Sequence, residues 1–304
     1  VVLGTGRDTV VTESGGTGND SVIAYGLGSG DSTSAADTLG DRYVLGAGAD
    51  TVRAGAGSDY IDVSASSGDS ADLVYADSGH DTVVVGDGDD VNFAGVGLDS
   101  VVAGSGNDSI TLSYSAAADS VAPDTVNLGV GSDTLRLSTS WAADSDLSGA
   151  SVLVIVDSGD TASDYLTLGT AADTIVLGAG NDSVFAYAGN DSLQVGDGNN
   201  VVDLGSGQDT VIAGSGADSV FAAAADTAGD RYELAGGADS VWAGSGSDYI
   251  DVFGSSEADS ADYVSAGAGN DTIITGLGND TILAGLGIES ILAGAGADSI
   301  YLDY

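Results

Sequence analysis

Apolar and polar side chains alternate over short stretches of this chain, and each stretch follows a glycine-rich turn. Such alternation is typical of a β-strand with one buried face. The residues two and four places after a recurring Asp are apolar, so we expect them to point inward. These predicted inward pairs are Val52/Ala54, Ile61/Val63, Val101/Ala103, Val184/Ala186, Val211/Ala213, Ile250/Val252, Ile282/Ala284 and Ile300/Leu302.

The turns share the pattern Gly-x-Gly-x-Asp, followed in most copies by Ser or Thr, and most copies are nine residues apart. Examples are GAGAD at 46–50, GVGLD at 95–99, GSGND at 104–108, GSGSD at 244–248 and GLGND at 276–280. The glycines permit the positive φ angles that a tight turn needs. A nine-residue unit is too short to bury its own apolar face, so the pattern predicts rungs stacked in a solenoid.

The charge of the chain changes this picture, because 47 acidic residues face five Arg and no Lys, giving a net charge of −42. Such a field disfavours nucleic acid and anionic lipid as partners. There is no Cys for a disulfide or thiolate site, and no apolar run long enough for membrane insertion. Yet 42% of the residues are apolar and periodic, which argues against disorder. The charge must therefore be neutralised from outside.

Parallel stacking would place the Asp residues of successive turns in columns, about 4.8 Å apart. Two carboxylates at that spacing repel by roughly 0.9 kcal/mol in water and several times more near a protein surface. A cation between them removes this cost. Because the available ligands are carboxylates and glycine-turn carbonyls, a hard ion is favoured, and calcium accepts their number and flexible geometry better than magnesium. We therefore predict several bound Ca²⁺ ions.

The repeats resemble the RTX (repeats-in-toxin, haemolysin-type) calcium-binding family, whose nonapeptide is Gly-Gly-x-Gly-x-Asp-x-apolar-x. The resemblance implies an all-β fold, a right-handed parallel β-roll or β-solenoid of nine-residue rungs with glycine–Asp turns. It also implies that the motif Asp residues bind the ions. These metal ligands would be Asp8, Asp20, Asp50, Asp59, Asp81, Asp90, Asp99, Asp108, Asp133, Asp173, Asp182, Asp191, Asp209, Asp218, Asp239, Asp248, Asp271, Asp280 and Asp298.

Departures from the motif concern both single rungs and the chain as a whole. The rungs at Asn200 and Glu289 lack the Asp. Five others lack the glycine pair, those of Asp72, Asp124, Asp164, Asp230 and Asp262.

The period does not tell whether two or three rungs complete a turn. We expect solenoid over 1–137 and 164–304, with an irregular insert at 138–163, all within one continuous solenoid. Longer inserts at Ser64–Ser70, Ser113–Ala122 and Phe253–Ser260 are expected to loop out.

Two functions compete. The first is a non-enzymatic, secreted structural protein that self-assembles into a bacterial cell-surface layer or extracellular filament, with a cell-surface glycan as a further partner. Both ends of the chain lie inside repeats, which favours stacking on neighbours. The alternative is a folding and secretion module of a larger type I-secreted toxin, enzyme or adhesin. Catalysis is disfavoured, because the single His80 occupies a variable turn position and the carboxylates are explained by their period. Ice binding is disfavoured because, among the glycine-rich turns, only Thr17–Asn19 has the Thr-x-Asn form.

Overall fold

The chain is all-β in a computed structural model that describes residues 2–3, 7–11, 19–24, 39–64, 70–114, 124–139, 151–156, 159–253 and 260–303. It divides into two compact units, Val1–Asp157 and Ser158–Tyr304. Across the described ranges, no helix is long and apolar enough to cross a membrane.

The first unit consists of two parallel sheets whose strands alternate along the chain. One sheet has the order β1-β3-β5-β7-β9-β11-β13 and the other β2-β4-β6-β8-β10-β12-β14. The strands are β1 (Val2–Leu3), β2 (Thr9–Val11), β3 (Ser21–Ala24), β4 (Arg42–Val44), β5 (Thr51–Arg53), β6 (Tyr60–Asp62), β7 (Leu73–Tyr75), β8 (Thr82–Asp87), β9 (Val91–Gly95), β10 (Ser100–Ser105), β11 (Ser109–Tyr114), β12 (Asp124–Gly129), β13 (Thr134–Thr139) and β14 (Val152–Val156).

The second unit repeats this arrangement. Its sheets have the orders β15-β17-β19-β21-β23-β25-β28, with β26 and β30 also paired to β28, and β16-β18-β20-β22-β24-β27-β29. The strands are β15 (Tyr165–Thr167), β16 (Thr174–Val176), β17 (Ser183–Phe185), β18 (Ser192–Gly196), β19 (Val201–Gly205), β20 (Thr210–Ala213), β21 (Ser219–Ala222), β22 (Arg231–Leu234), β23 (Ser240–Trp242), β24 (Tyr249–Asp251), β25 (Tyr263–Ser265), β26 (Ala268–Gly269), β27 (Thr272–Ile274), β28 (Thr281–Gly287), β29 (Ser290–Leu292) and β30 (Ser299–Leu302).

Two nonapeptide rungs complete each turn of the solenoid. Strand β8 pairs with β10 so that Thr82 lies beside Ser100, skipping the intervening β9. Tyr165 lies beside Ser183 in the same way in the second unit. Where turns contain no insert, equivalent residues are therefore 18 positions apart. The register settles the number of rungs per turn, and it confirms the predicted parallel β-solenoid.

The predicted inward pairs form the core of each unit. Val52, Ile61, Val184 and Ile250 are fully buried, and the second members of these pairs are at most 2% exposed. The remaining predicted pairs are buried as well, with one exception. Ile300 and Leu302 are 45% and 47% exposed, because β30 pairs on one side only, with β28.

The turn glycines are required by the close stacking of one turn on the next. Gly97 has a φ of 145°, and a Cβ atom there would overlap the carbonyl oxygen of Gly79 in the turn below. Gly207 has a φ of 141° and is in the same position relative to Gly189. Side chains would therefore both strain the backbone and separate the turns. This close approach explains why glycines recur in the turn before each strand.

The described part of the segment 138–163, predicted as an irregular insert, includes the end of β13 and the whole of β14. Strand β14 lies within it and pairs with β12, with Val152 beside Asp124. Residues 140–150 and 157–158 lie outside the described residues, as do 65–69, 115–123 and 254–259 of the predicted loops. The predicted division into 1–137, 138–163 and 164–304, and its continuity, stay predictions.

Candidate metal centre

The motif Asp residues of successive turns are joined directly to one another. The backbone N–H of Asp81 donates to Oδ1 of Asp99, and the N–H of Asp191 donates to Oδ1 of Asp209, with N–O distances of 3.0 and 2.8 Å. We call the resulting ladders the Asp columns. In the first unit they are Asp8–Asp41–Asp59–Asp81–Asp99–Asp124 and Asp20–Asp50–Asp72–Asp90–Asp108–Asp133. In the second they are Asp164–Asp182–Asn200–Asp218–Asp239–Asp262–Asp280–Asp298 and Asp173–Asp191–Asp209–Asp230–Asp248–Asp271.

All of the sequence-predicted ligands lie in these columns. Asp8, Asp20 and Asp298 are half-buried. The others are at most 3% exposed, namely Asp50, Asp59, Asp81, Asp90, Asp99, Asp108, Asp133, Asp173, Asp182, Asp191, Asp209, Asp218, Asp239, Asp248, Asp271 and Asp280. Buried carboxylates are rare unless they are paired or bind a metal. Their burial therefore requires either protonation or a counter-charge inside the columns.

The second carboxylate oxygen shows where that counter-charge is needed. In several column residues, Oδ2 is buried and accepts no hydrogen bond from the described residues. These residues are Asp81, Asp108, Asp191, Asp209, Asp218, Asp248, Asp271 and Asp280. Leaving a buried acceptor unsatisfied costs about 1–3 kcal/mol, and more for a charged group. An ion bound at these oxygens would remove that cost.

Asn200 identifies other oxygens that belong to such a site. It occupies a column position where other turns have Asp, and its side-chain Nδ2 donates to the carbonyl oxygens of Gly196 and Gly198, both at 3.4 Å. The turn carbonyls therefore converge on the side chain at this position. In the Asp turns Oδ2 replaces this donor, so that oxygens face oxygens. Such an all-oxygen donor set fits a hard cation, and calcium in particular.

Burial raises the pKa of several column carboxyls in the metal-free protein. The pKa of Asp81 rises to about 8, chiefly through burial, with a smaller contribution from the charges of Asp99, Asp59 and Asp77, while the hydrogen bond from the Asp59 N–H opposes the rise. Burial is also the main cause for Asp209 and Asp248, whose pKa rises to about 7. It raises the pKa to about 6 at Asp108, Asp182, Asp191, Asp218 and Asp230.

Two buried tyrosines supply the second oxygen of a column Asp with a donor. The hydroxyl of Tyr43 donates to Oδ2 of Asp41, and that of Tyr232 donates to Oδ2 of Asp230, each at 3.0 Å. Both tyrosine side chains are fully buried. The Asp-Arg-Tyr sequences that contain them are identical. The two Asp-Arg-Tyr segments thus share this hydrogen bond as well as their sequence.

Several acidic residues near the columns were not predicted as ligands. Asp41 lies in the first column although a Gly-x-Gly pair does not precede it. The rungs without the glycine pair, those of Asp72, Asp124, Asp164, Asp230 and Asp262, also continue the columns. Asp226 belongs to no column, but its charge contributes to the raised pKa values of Asp209, Asp230 and Asp248. The available signal was the recurrence of Asp-Thr-x-x-Asp at 37–41, 160–164 and 226–230.

Comparison with known proteins agrees with this geometry. The family of the RTX calcium-binding nonapeptide repeat (four copies) is matched at residues 36–65, 65–91, 93–112, 158–193, 185–220, 225–252, 258–288 and 283–303. These matches cover well over half of the chain, and the chain belongs to this family. Repeats of the family bind calcium, so the fold and the Asp columns define a calcium-binding β-solenoid. No curated protein matches the chain.

Proposed function

We propose that the chain is a non-enzymatic structural protein, a calcium-stapled solenoid that is secreted and builds a bacterial cell-surface layer or an extracellular filament. The observation that carries the proposal is the Asp columns, in which several buried oxygens, such as Oδ2 of Asp81 and Asp209, accept no hydrogen bond from the described residues. Calcium ions held by the nineteen predicted Asp residues and by turn carbonyls would join each turn to the next. A metal that binds only the folded state stabilises that state.

Calcium dependence connects this architecture with an extracellular location. At low calcium the buried carboxylates oppose folding, because each must be protonated or lose its hydration without compensation. At the calcium concentrations found outside cells the same residues become ligands. The chain would then remain unfolded before export and fold after it. The proposal therefore places the folded protein at the cell surface or beyond.

The outer faces of the sheets offer surfaces for lateral contact between copies. In the second unit the rings of Phe221 and Trp242 stack with centroids 4.5 Å apart, and Tyr263 continues the row at 5.3 Å from Trp242. In the first unit Tyr75 and Phe93 stack at 4.9 Å. Aromatic rows of this kind suit packing against a second copy or a glycan. The net charge of −42 opposes nucleic acid, and we propose no membrane insertion.

The environment of His80 gives no support for catalysis. Its side chain is exposed in a turn, and its Nδ1 accepts a hydrogen bond from the Leu98 N–H at 2.9 Å. This bond links two successive turns, so a structural role accounts for the residue. The column carboxylates are likewise engaged along the stack. We therefore propose a structural rather than an enzymatic function.

The second candidate is a folding and secretion module of a larger exported toxin, enzyme or adhesin. Membership of the RTX family favours it, and the same calcium-dependent columns would serve it equally well. The two functions differ in what the folded solenoid does next. A structural unit associates with copies of itself, whereas a folding module remains a single compact body.

Sedimentation velocity, first in chelator and then in millimolar calcium, separates the two. We expect a slow, expanded species without calcium and large assemblies with it, and removal of calcium should reverse the change. A single compact monomer in calcium would instead support the folding module. Native β circular dichroism that persists in excess chelator above about pH 8, where the column carboxyls hold neither a proton nor an ion, would contradict both.

A further inference from the structure

An acidic cluster in the second unit combines two column residues with one carboxylate from an insert. Asp209 and Asp230 are neighbours in a column, and Asp226 lies in the segment between β21 and β22. One carboxylate oxygen from each of the three lies within 4.8 Å of the others. Their exposed fractions are 1% for Asp209, 6% for Asp226 and 3% for Asp230. The cluster is therefore enclosed by protein and not part of the solvated surface.

Local hydrogen bonds hold the carboxylate of Asp226 toward the column. Its Oδ1 accepts the N–H of Ala228 at 3.1 Å, which closes a short turn of the Asx type. Its Oδ2 accepts the N–H of Gly207, in the preceding turn, at 3.2 Å. From the following turn, the N–H of Ser245 donates to the backbone carbonyl of Asp226 at 2.8 Å. The insert is thus fastened to the turns on both sides.

Asp226 occupies the position that a glycine has in the regular turns. It lies four residues before the column residue Asp230, as Gly205 lies four residues before Asp209. In a regular turn this position contributes a carbonyl, as Gly196 does beside Asn200. Here the side chain adds a carboxylate as well. The rung without the glycine pair therefore gains an acidic oxygen.

The adjacent cation is already engaged elsewhere and does not neutralise the three carboxylates of the cluster. The adjacent cation, Arg231, is paired with Glu233, and its guanidinium lies 4.6 Å from the ring centroid of Tyr249. Independently of the clustering, Oδ2 of Asp209 is buried and accepts no hydrogen bond from the described residues. A buried carboxylate oxygen without a hydrogen-bond donor can serve as a ligand to a cation.

We propose that Asp209, Asp226 and Asp230 hold a calcium ion, for which the insert residue Asp226 supplies the ligand that this glycine-poor rung would otherwise lack. The inference rests on the proposed calcium-stapled function and extends it to a turn outside the Gly-x-Gly-x-Asp motif. Three carboxylates form an oxygen-only site of the kind that calcium accepts. The segment between β21 and β22 then continues the Asp column instead of interrupting it.

A buried Asp also lies four residues before a column residue at the start of the second unit. Asp160 lies four residues before the column residue Asp164, is 5% exposed, and accepts the N–H of Ala162 through Oδ1 at 3.1 Å. This is the distance found between Asp226 and Ala228. A third copy of the spacing, at 37–41, has its first Asp outside the described residues. The Asp-Thr-x-x-Asp sequence is therefore an alternative form of the calcium turn.

The test is a count of bound calcium on the full chain, by equilibrium dialysis at saturating calcium followed by elemental analysis. The variant is Asp226→Asn, which keeps an oxygen to accept the Ala228 N–H but removes the charge. The matched control is Asp203→Asn, which removes one charge from an exposed position in the neighbouring strand β19. We expect the control to bind as many ions as the unsubstituted protein, and D226N to bind one fewer.

Equal counts and affinities in D226N and the control would overturn the inference while leaving the proposed function intact. Absence of calcium binding in the unsubstituted protein would instead overturn the proposed function itself. Should D226N fail to fold, the measurement passes to Asp226→Glu, which keeps the carboxylate but moves it by one methylene. We expect D226E to bind the full number of ions, one of them at least tenfold more weakly. Unchanged affinity for every ion would contradict the inference.

Discussion

Asn200 donates its side-chain amide to the carbonyl oxygen of Gly198, with 3.4 Å between Nδ2 and O. The same amide also faces the carbonyl of Gly196. Within a column of carboxylates, this neutral residue satisfies its own turn without an ion. Its neighbours in the column, Asp182 and Asp218, have pKa values raised chiefly by burial, to about 6. We infer that at Asn200 a hydrogen-bond donor takes the place that an ion would have in an Asp turn.

Replacing Asn200 by Asp should therefore create one further calcium site. The substitution removes the donor that faces the Gly196 and Gly198 carbonyls and introduces the oxygen found in the regular turns. We expect one additional bound ion at saturating calcium. In chelator we expect a loss of about 1–3 kcal/mol in the free energy of unfolding of any residual structure, as for a buried acceptor left unsatisfied. Equilibrium dialysis counts the ions.

The matched control is Asn199→Asp, which makes the same chemical change one residue earlier. Asn199 is exposed, and its Oδ1 accepts the N–H of Ala217 at 2.7 Å, a role that a carboxylate can keep. We expect N199D to bind as many ions as the unsubstituted protein. An equal ion count in N200D and N199D would show that the turn carbonyls do not belong to a metal site.

The raised pKa values predict that acid promotes folding when calcium is absent. The folded columns bind protons more tightly than the unfolded chain, in which Asp titrates near 4. The free energy of unfolding therefore falls as the pH rises from about 4. It goes on falling through the folded-state pKa values of about 6 for Asp108 and about 8 for Asp81. Lowering the pH through the same window restores stability.

Far-ultraviolet circular dichroism in chelator, recorded between neutral and mildly acidic pH, measures this effect. We expect β structure to increase as the pH falls. In saturating calcium the signal should remain constant over the upper part of this range, because the ion neutralises the carboxylates and competes with protons for them. A metal-free chain that becomes less ordered on mild acidification would contradict the prediction.

The sequence predicted the strands and turns of the solenoid well, because both follow from local requirements. Val52 and Ala54 point inward because the alternation of apolar and polar residues decides which face of a strand is buried. A glycine is required at position 97 because a Cβ atom there would overlap the carbonyl oxygen of Gly79. The number of rungs per turn was not predictable, since the nine-residue period is the same whichever strands pair. It is decided by register, as between Thr82 and Ser100.

The candidate site was predicted only in part, for a related reason. The motif gave the regular column residues, whose position depends on the residues immediately around them. Asp226 lies in an insert that breaks the period, and the bond from Gly207 that directs its carboxylate comes from 19 residues away. In the sequence, Tyr232 is indistinguishable from an ordinary strand residue. Its burial and its bond to Asp230 are visible only in the structure. Contacts between turns are not visible in a local pattern.

Removing the hydroxyl of Tyr232 should destabilise the second unit. In Tyr232→Phe the Oδ2 atom of Asp230 loses its donor in a buried position, where Tyr232 itself is fully enclosed. We expect a loss of about 1–3 kcal/mol in the free energy of unfolding. Urea unfolding at saturating calcium measures it.

Tyr249→Phe is the matched control for this substitution. Tyr249 also donates its hydroxyl to an aspartate, at 3.1 Å from Oδ2 of Asp251, but this pair is only part-buried. Water can replace the lost bond there, so we expect a change of no more than about 0.5 kcal/mol. Equal effects of Y232F and Y249F would contradict the role assigned to the buried bond.

Loss of one column carboxylate should weaken one calcium site without unfolding the chain. Asp280 accepts the N–H of Asp262 at 3.0 Å and donates its own N–H to Asp298 at 3.2 Å. Its Oδ2 is buried and accepts no hydrogen bond from the part of the chain that the structure describes. Asp280→Ala removes the side chain but keeps the backbone bond to Asp298. Because solenoid stability is approximately a sum over neighbouring rungs, the other turns should remain folded. Calcium titration should show one ion bound about tenfold more weakly or lost, and Asp203→Ala, at an exposed position, should leave every affinity unchanged. Complete loss of β structure in D280A at millimolar calcium would contradict this additive behaviour and show instead that the turns of the unit fold as a single cooperative block.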